Sequence, residues 1–483
     1  MEQFIACLKG LEDPRTGNAG RHDFYEILMI AFCAVLCGGQ SAVDMALFAT
    51  AKEPFLRGFL TLKHGTPSHD TFSRLFRLLD PEQFRATFQR FMTRFSETIQ
   101  GVIAIDGKVL RRSFDHASGK SALHMVSAWG CEQRLVLAQI ATDAKSNEIT
   151  AVPKLLEMLS LKGTIVTVDA LNCQRAIAQQ IVDQGGDYAL SLKGNQPTLY
   201  ADVQTFLDDP AATVSTAEPM VDGDHGRIET RAATVSTDIG WLQETHHWPG
   251  LAAIGKVTRR REFADKITSE TAYYLLSAPL TPERFGQVVR SHWGVENRLH
   301  WRLDVVMNED QDRSRMDNSP HNLAVLRHMA INLVQKDPTK GSLRGKLKRA
   351  GWDDAYLAQL LARFRNAIAL VRYAMRGSRG WFAAGCYAPL ARLAGGGCDA
   401  GLARVVGGGC DGPLARLVGS GCDAGLARVV GGGCDAGLAG WLAGDVMGTD
   451  AVGWRVMRCG LGRDCYNGRA KLSSWPSGSV IWK

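Results

Sequence analysis

The sequence predicts an α/β protein, a mixed sheet flanked by helices, and three observations carry that prediction. First, two short β-branched runs, 101–110 and 163–171, each hold an aspartate at or near the strand end, Asp106 and Asp169. Each reads as a buried strand. Second, strand-like and helix-like periods alternate over residues 101–195. Third, a long helical stretch further on, 282–306, carries a glutamate amid arginines and rings, in the run RSHWGVENRLHWRLDVV.

In chain order, residues 1–95 read as helical. Asp13-Pro-Arg15 is a turn, and Arg21 to Phe48 has helical periodicity interrupted at Gly38-Gly39. Residues 67–79 open with capping residues. They then place Phe72, Leu75, Phe76 and Leu79 at i, i+3, i+4 and i+7, one apolar stripe. A small helical bundle with a helix-turn-helix-like element fits this pattern, with Arg74 and Arg77 toward phosphate. After the Asp106 strand, Leu123–Trp129 and Arg134–Ala141 read as strands and Ala151–Leu159 as a helix. The Asp169 strand, a helix Cys173–Gln184 and a strand Tyr188–Leu192 follow. The order β-β-β-α-β-α-β is that of a ribonuclease H-like domain, with the Asp106 and Asp169 strands adjacent and a crevice at their ends.

Residues 197–275 break the alternation and read as a mostly β insertion. Short strands are expected at Ile228–Val235, Leu251–Arg259 and Thr271–Leu276, and Glu218–Arg231 is expected to be loop-rich. Arg259-Arg260-Arg261 is a basic cluster facing phosphate or solvent. Thr281 caps the long helix and Pro282 opens it. With Glu296 as origin, Val289, Trp293, His300 and Leu303 lie at −7, −3, +4 and +7, on one helical face. Residues 317–335 form another helix, Lys340 to Arg349 is basic, and Trp352 to Ala374 reads as a last amphipathic helix.

Composition changes after residue 380. Cys386, Cys398, Cys410, Cys422 and Cys434 recur every twelve residues in units close to GGGCDAGLARVV. A stacked β-roll and a cysteine metal array both come to mind. With no CxxC and almost no His, the expectation is a poorly ordered low-complexity tail. Of twelve cysteines, seven lie after residue 380. The others (Cys7, Cys33, Cys37, Cys131, Cys173) read as reduced thiols in apolar settings, and Cys33 with Cys37 as packing. The formal charge of +7 and pI near 8.8 are mildly basic, which favours a nucleic-acid partner. The start shows no signal peptide, and the most apolar stretch, Ile27–Gly39, is too short to span a bilayer. A cytoplasmic, nucleoid-associated protein with no membrane partner is expected.

Carboxylates in the order Asp106, Asp169, Glu296, from two neighbouring strands and a helix, suit a pair of divalent cations roughly 4 Å apart. Hard Mg²⁺, with Mn²⁺ as its substitute, takes oxygen ligands and keeps positions open for phosphate. That is the chemistry of in-line attack on phosphodiesters. Lys108 shares the side of its strand with Asp106 and is expected at phosphate, as are Arg111 and Arg112 just beyond. Asn172, Lys193 and Asn195 follow strand ends and are expected to line the crevice, with Arg290, His292 and Arg298 holding DNA backbone. Asp304, Glu309 and Asp310 stand as substitutes for Glu296.

Residues 1 to about 372 resemble the ISAs-type, or H-repeat-associated, insertion-sequence transposases. The stretches that match are DPR (13–15), PSHDTFSRLF (67–76), AIDGKVLRRS (104–113), KSNEITAVPKLL (145–156), TVDALNCQ (167–174), LKGNQ (192–196) and HWGVENRLHWRLDVVMNED (292–310). The resemblance implies a ribonuclease H-like DDE catalytic domain, residues 98–375, behind an N-terminal transposase-associated, DNA-binding domain, residues 1–97. The tail, 376–483, lies outside the pattern. By position Asp106, Asp169 and Glu296 match the acidic triad. Related DDE transposases carry a Tyr-Arg-Arg-Glu-Lys signature. Here Val289, Arg290, His292, Glu296 and Leu303 occupy those positions, so the Tyr, second Arg and Lys roles are not carried over. The implied function is metal-dependent DNA cleavage and strand transfer at element ends and target, by a homodimer when synapsed. The alternatives are an inactive DNA-binding remnant, or a ribonuclease H-like nuclease that cuts without joining.

Overall fold

The structure is a computed structural model. It describes residues 2–92, 99–115, 119–142, 148–224 and 227–363, and the backbone of 405–408 and 429–432. Two compact units divide the chain, Met1–Met375 and Arg376–Lys483.

The first unit begins with six helices, α1 Glu2–Cys7, α2 Phe24–Leu36, α3 Ala42–Ala51, α4 Glu53–Arg57, α5 His69–Leu78 and α6 Pro81–Met92. The chain turns between α2 and α3 at Gly38, whose φ of +88° suits a residue without a Cβ. Ser68 caps α5 by accepting from the Thr71 N–H, and the expected stripe Phe72, Leu75, Phe76 and Leu79 is buried. These helices share one apolar core with helices from the end of the unit, α13 Ser319–Gln335, α14 Leu343–Trp352 and α15 Asp354–Ala362. Helix α13 runs through the middle of that core and is buried on all sides.

The sheet is assembled in the expected order. It comprises β1 Gly101–Val109, β2 His124–Gly130, β3 Leu135–Thr142, α7 Glu148–Leu156, β4 Thr164–Val168, α8 Arg175–Asp183 and β5 Asp187–Leu192. Strands β1 and β4 are parallel neighbours, with Ala104 paired to Thr167, while β2 and β3 run antiparallel beyond β1. The order β3-β2-β1-β4-β5 is ribonuclease H-like.

The stretch after β5 is mostly β, with strands over the three expected spans, and it extends the core sheet. After α9 Pro197–Asp208 come β6 Ser215–Thr216, β7 Met220–Asp224, β8 Arg227–Ser236, α10 Gly240–His246, β9 Ala253–Glu262 and β10 Ile267–Leu276. Strand β10 pairs antiparallel with β5, and β9, β8 and β6 follow outward in one ten-stranded sheet. The span expected to be loop-rich, 218–231, instead contains the β7–β8 hairpin. Its polar composition hid strands whose faces are both partly solvated.

Strand alternation gives the sheet two faces. Ile103, Ile105, Val166, Val168 and Leu190 point to the side covered by α7–α10. Ala104, Thr167 and Ala189 point to the other side. Their small size lets α11 Pro282–Gly294 lie close across β1 and β4, burying Phe285, Val288 and Val289. Thr281 caps α11 by accepting from the Arg284 N–H.

The expected single helix through Glu296 has a different local form. α11 passes into a π-helical turn, Val295–His300, and then into α12 Trp301–Val305. The last expected helix is likewise divided. Helix α14 ends at Trp352, and Asp353 caps α15 by accepting from the Tyr356 N–H. The remainder of that expected helix, from 364, lies outside the described residues. In the second unit, β11 Val405–Gly408 and β12 Val429–Gly432 pair in parallel, Val405 opposite Val429, two twelve-residue units apart. The remaining expectations for the tail also lie outside the described residues.

Candidate active site

The two aspartates reach the site by different local means. Asp106 is in β1, on the face covered by α11, and its Oδ1 accepts from the Gly107 N–H at 2.9 Å. Asp169 follows the last residue of β4 and caps the short 3₁₀ turn Ala170–Asn172, accepting from the Asn172 N–H at 3.1 Å. The register that pairs Ala104 with Thr167 brings the two aspartates level on adjacent strands. Glu296 comes from the opposite side, in the first turn of the π segment, and is solvent-exposed. A π turn inserts one residue into the i→i+4 ladder, and such turns recur at functional sites. Here the Trp301 N–H reaches back to the Glu296 carbonyl.

Burial sets the electrostatics of two of these acids. Burial pushes the Asp106 carboxyl up to about 7, with further upward contributions from Glu296, Asp169 and Glu148, against the downward pull of the Gly107 N–H. Burial also raises Glu296. Crowded carboxylates of this kind suit a hard divalent cation, whose charge relieves their repulsion. Among the described residues, no three acid, His or Cys side chains already converge at ligand distance. The donors therefore border the crevice without closing on a point.

Two imidazoles line the same place. His300 Nδ1 lies 3.7 Å from Asp106 Oδ2, and burial, with Lys108 and three other histidines nearby, pulls His300 down to about 3. His292 Nδ1 is 3.0 Å from the Thr167 hydroxyl, and burial pulls its pKa down to about 4. Both are neutral near pH 7.

Several residues expected at phosphate are placed elsewhere. Lys108 is only 9% exposed. Its Nζ meets Asp304 at 2.8 Å, Asp310 at 3.0 Å and Glu309 at 3.2 Å. Burial depresses its pKa, but Glu309, Asp304 and Asp310 more than offset that and leave it raised. It is the centre of a buried ion cluster and is not at the crevice surface. The same contacts commit Asp304, Glu309 and Asp310 to Lys108 and set them apart from a substitute role for Glu296. Asn172 is buried at 1% exposure and bridges two carboxylates. His292 is neutral and bonded to Thr167, so it offers no cation to a phosphate.

Others lie nearer the surface, and several of them are paired. Arg77 pairs with Asp317 at 2.8 Å and Arg290 with Asp222 at 2.7 Å, while Arg111 is 80% exposed beside Asp310 at 3.3 Å. The Arg112 carbonyl accepts from Arg315, and the Asn195 amide donates to the Ala170 carbonyl at 2.6 Å, tying the β5 loop to the Asp169 turn. In the 259–261 cluster, Arg259 and Arg261 converge on Glu229 and Glu270, and Arg260 meets Glu262. Arg74, Lys193 and Arg298 are exposed without a carboxylate partner among the described residues. Val289 and Leu303, at two signature positions of related transposases, are core residues.

One group at the site was not singled out from sequence. Glu148 opens α7, is 2% exposed, and bonds to His124 Nε2 and to the Asn172 amide. The run KSNEITAVPKLL carried the family resemblance without any role being given to its glutamate. The signal within it was a carboxylate at a helix start with a distant buried histidine for a partner.

Residues 5–92 match the DDE_Tnp_1-associated family and residues 97–333 the Transposase DDE domain family. The chain is 39% identical over 373 residues to YbfL of Escherichia coli K12, covering 75% of this chain and 98% of that one. It is 38% identical over 352 residues to the H repeat-associated protein YhhI of the same strain, covering 71% and 93%. Against the H repeat-associated protein YbfD of that strain the identity is 39% over 237 residues, covering 48% and 92%. A likeness in fold, with TM-score 0.36 at 14% identity, covers 78% of this chain and 80% of a chain in the piggyBac transposase synaptic complex with hairpin DNA. Among the described residues, no helix is long and apolar enough to cross a membrane. With almost the whole length of YbfL and YhhI matched above one-third identity, the chain belongs to the DDE transposase family, alongside the H repeat-associated proteins.

Proposed function

We propose that this chain cleaves DNA at the ends of an insertion sequence and joins the freed ends to a target, with Asp106, Asp169 and Glu296 as the acids that hold two Mg²⁺ ions. The observation that carries this reading is the register that sets Asp106 and Asp169 level on adjacent parallel strands, under the helix that bears Glu296, in a chain of this family. Bound Mg²⁺, or Mn²⁺ in its place, supplies an activated oxygen nucleophile and stabilises the leaving oxygen. The protein's own groups do the rest. Asp106, held by the Gly107 N–H, and Asp169, held by Asn172, are fixed on rigid elements. Glu296 comes from the exposed face of the π turn. His292 and His300 are neutral and add no competing positive charge beside the acids. Arg298, Lys193 and Arg74 are exposed cations for DNA backbone, and their contribution weakens with salt. The chain acts as a homodimer when it synapses two element ends.

The test is cleavage of DNA carrying the element's own ends, with Mg²⁺ and with chelator, for wild type and for D106A, D169A and E296A. Mg²⁺-dependent cutting at the ends, followed by joining, that disappears in each variant while DNA binding persists supports the reading. Metal-dependent cutting in any of the three rejects the triad. Cutting without joining supports a nuclease, and binding without cutting supports an inactive remnant.

A further inference from the structure

We propose that Glu148 is a positioning residue that sets Asp169 through Asn172 and is not itself a metal ligand. The inference rests on the reading above, in which Asp106, Asp169 and Glu296 hold the cations. Both oxygens of Glu148 are already used. Oε1 meets His124 Nε2, and Oε2 accepts from the Asn172 side-chain amide at 3.1 Å. The same amide nitrogen donates to Asp169 Oδ1 at 2.8 Å, and the Asn172 backbone N–H donates to that oxygen at 3.1 Å. An amide NH₂ carries two hydrogens and no charge, so it serves two carboxylates at once. Asp169 Oδ1 is thereby held by two donors, leaving Oδ2 free for a ligand. Asn172 and Glu148 are both buried, so water does not readily replace either bond.

The glycine beside Asp106 points the same way. A Cβ at Gly107 would run into the His124 ring and the Glu148 carboxylate. Strand alternation puts Asp106 on the α11 face and Gly107 on the α7 face, so the bare glycine lets the His124–Glu148 pair lie against β1 directly behind the acid. One buried pair thus supports both strands, by packing at Gly107 and by a hydrogen-bonded bridge at Asp169. His124 Nδ1 is buried without a partner among the described residues. An arrangement with that desolvation cost is a poor choice for stability alone, since apolar replacements of buried ionic groups are often neutral or better. Groups behind a metal ligand that fix its orientation account for such an arrangement, and losing one typically costs 10–100-fold in metal affinity.

The experiment is Mn²⁺ binding to the metal-free full chain, followed by loss of the free-ion electron paramagnetic resonance signal. DNA cleavage and circular dichroism are recorded alongside. Variants are E148L, E148Q, N172A and the double variant E148L/N172A, with D106A as reference. E148L and N172A are expected to weaken Mn²⁺ binding by about 10–100-fold. The double variant should fall within about twofold of the worse single one, because both cut the same link. E148Q keeps an oxygen for Asn172 and is expected to recover affinity relative to E148L. If E148L does not fold, N172A, which leaves the His124 pair in place, decides the matter by the same loss. Wild-type affinity in the folded E148L or N172A chain overturns the proposal. So does E148Q falling as far as E148L, which would make Glu148 a ligand, and so do additive losses. Each of these leaves the metal reading standing if wild type binds Mn²⁺ and D106A does not. Absence of Mn²⁺ binding by wild type overturns that reading and this inference together.

Discussion

Replacing Asp106 by Asn should stabilise the metal-free protein while destroying its activity. The carboxyl is pushed from its ordinary 3.8 up to about 7, first by burial and then by Glu296, Asp169 and Glu148. The native chain therefore binds more protons than the unfolded chain between those two values, and stability falls as pH rises through that window. At pH 7 the shift of about three units corresponds to a ceiling of about 4 kcal/mol, at 1.36 kcal/mol per unit. Because Glu296 and Asp169 share the repulsion and relax when one charge is removed, a gain of about 2 kcal/mol is expected from D106N. Asparagine keeps an oxygen for the Gly107 N–H, so the change removes charge with little loss of hydrogen bonding. For a unit spanning Met1–Met375 that gain is roughly 2–3 °C in Tm. Thermal unfolding in chelator at several pH values is the assay. The difference between D106N and wild type should be small near pH 4 and grow toward pH 7, and added Mg²⁺ should stabilise wild type but not D106N. A variant that melts at or below wild type at pH 7, or a difference that does not change with pH, would refute the reasoning.

Lys108→Ala leaves the buried Glu309 and the partly buried Asp304 and Asp310 without their common cation. A loss of about 3–5 kcal/mol is expected by urea denaturation, and a loss under about 1 kcal/mol would mean the cluster is solvated. Gly107→Ala, which forces the His124–Glu148 pair aside, should cost about 1–3 kcal/mol and reduce cleavage more than DNA binding. Phe88→Ala, at a fully buried site where the N-terminal helices share a core with α13, should cost about 3–5 kcal/mol and leave one unfolding transition. Two separated transitions would show that those helices fold apart from α13. Arg298→Ala should weaken DNA binding evenly across sequences and lower the salt slope by about one. An unchanged slope would place Arg298 away from the backbone.

What the sequence revealed followed from short-range patterns. The Asp106 and Asp169 strands announced themselves because parallel strands buried on both faces need unbroken β-branched runs, and β4 does read Thr-Ile-Val-Thr-Val. The α5 stripe was legible because only one face of that helix is buried. The Thr281 cap and the Pro282 start were legible from local chemistry alone. What stayed hidden depends on partners far along the chain. Lys108 resembled a phosphate contact because its carboxylates arrive about two hundred residues later, after Asn308 takes the left-handed conformation and turns Glu309 and Asp310 back toward β1. Asn172 looked like a crevice residue for the same reason, its second partner being Glu148 on another element. The π turn was hidden because its inserted residue rotates the chain after it by about 100°, so the single face expected for Val289, Trp293, Glu296, His300 and Leu303 is broken up, with Val289 and Leu303 buried and Trp293 and Glu296 exposed. The joining of β10 to β5 was also silent, because edge pairing is set by which strands find each other and not by either sequence alone.

These hidden contacts bear on how the acids keep their places. Glu296 sits on a helix that crosses the sheet, and groups on either side of it hold that helix down, His292 at Thr167 and His300 at 3.7 Å from Asp106. The Lys108 cluster does so from the far end. It joins β1, two residues past Asp106, to Asp304 on α12 and to the loop beyond it, where Arg327 of α13 meets Glu309 and Asp312. The His124–Glu148 pair braces the same strand from the opposite face, at Gly107. β1 is thus held from both faces within two residues of Asp106. On the proposed reading, this is how an exposed glutamate on a locally irregular helix would be kept in place as the third acid. Its helix is pinned within the irregular turn by the buried Val295 and Leu299 and just after it by Asp304 on α12.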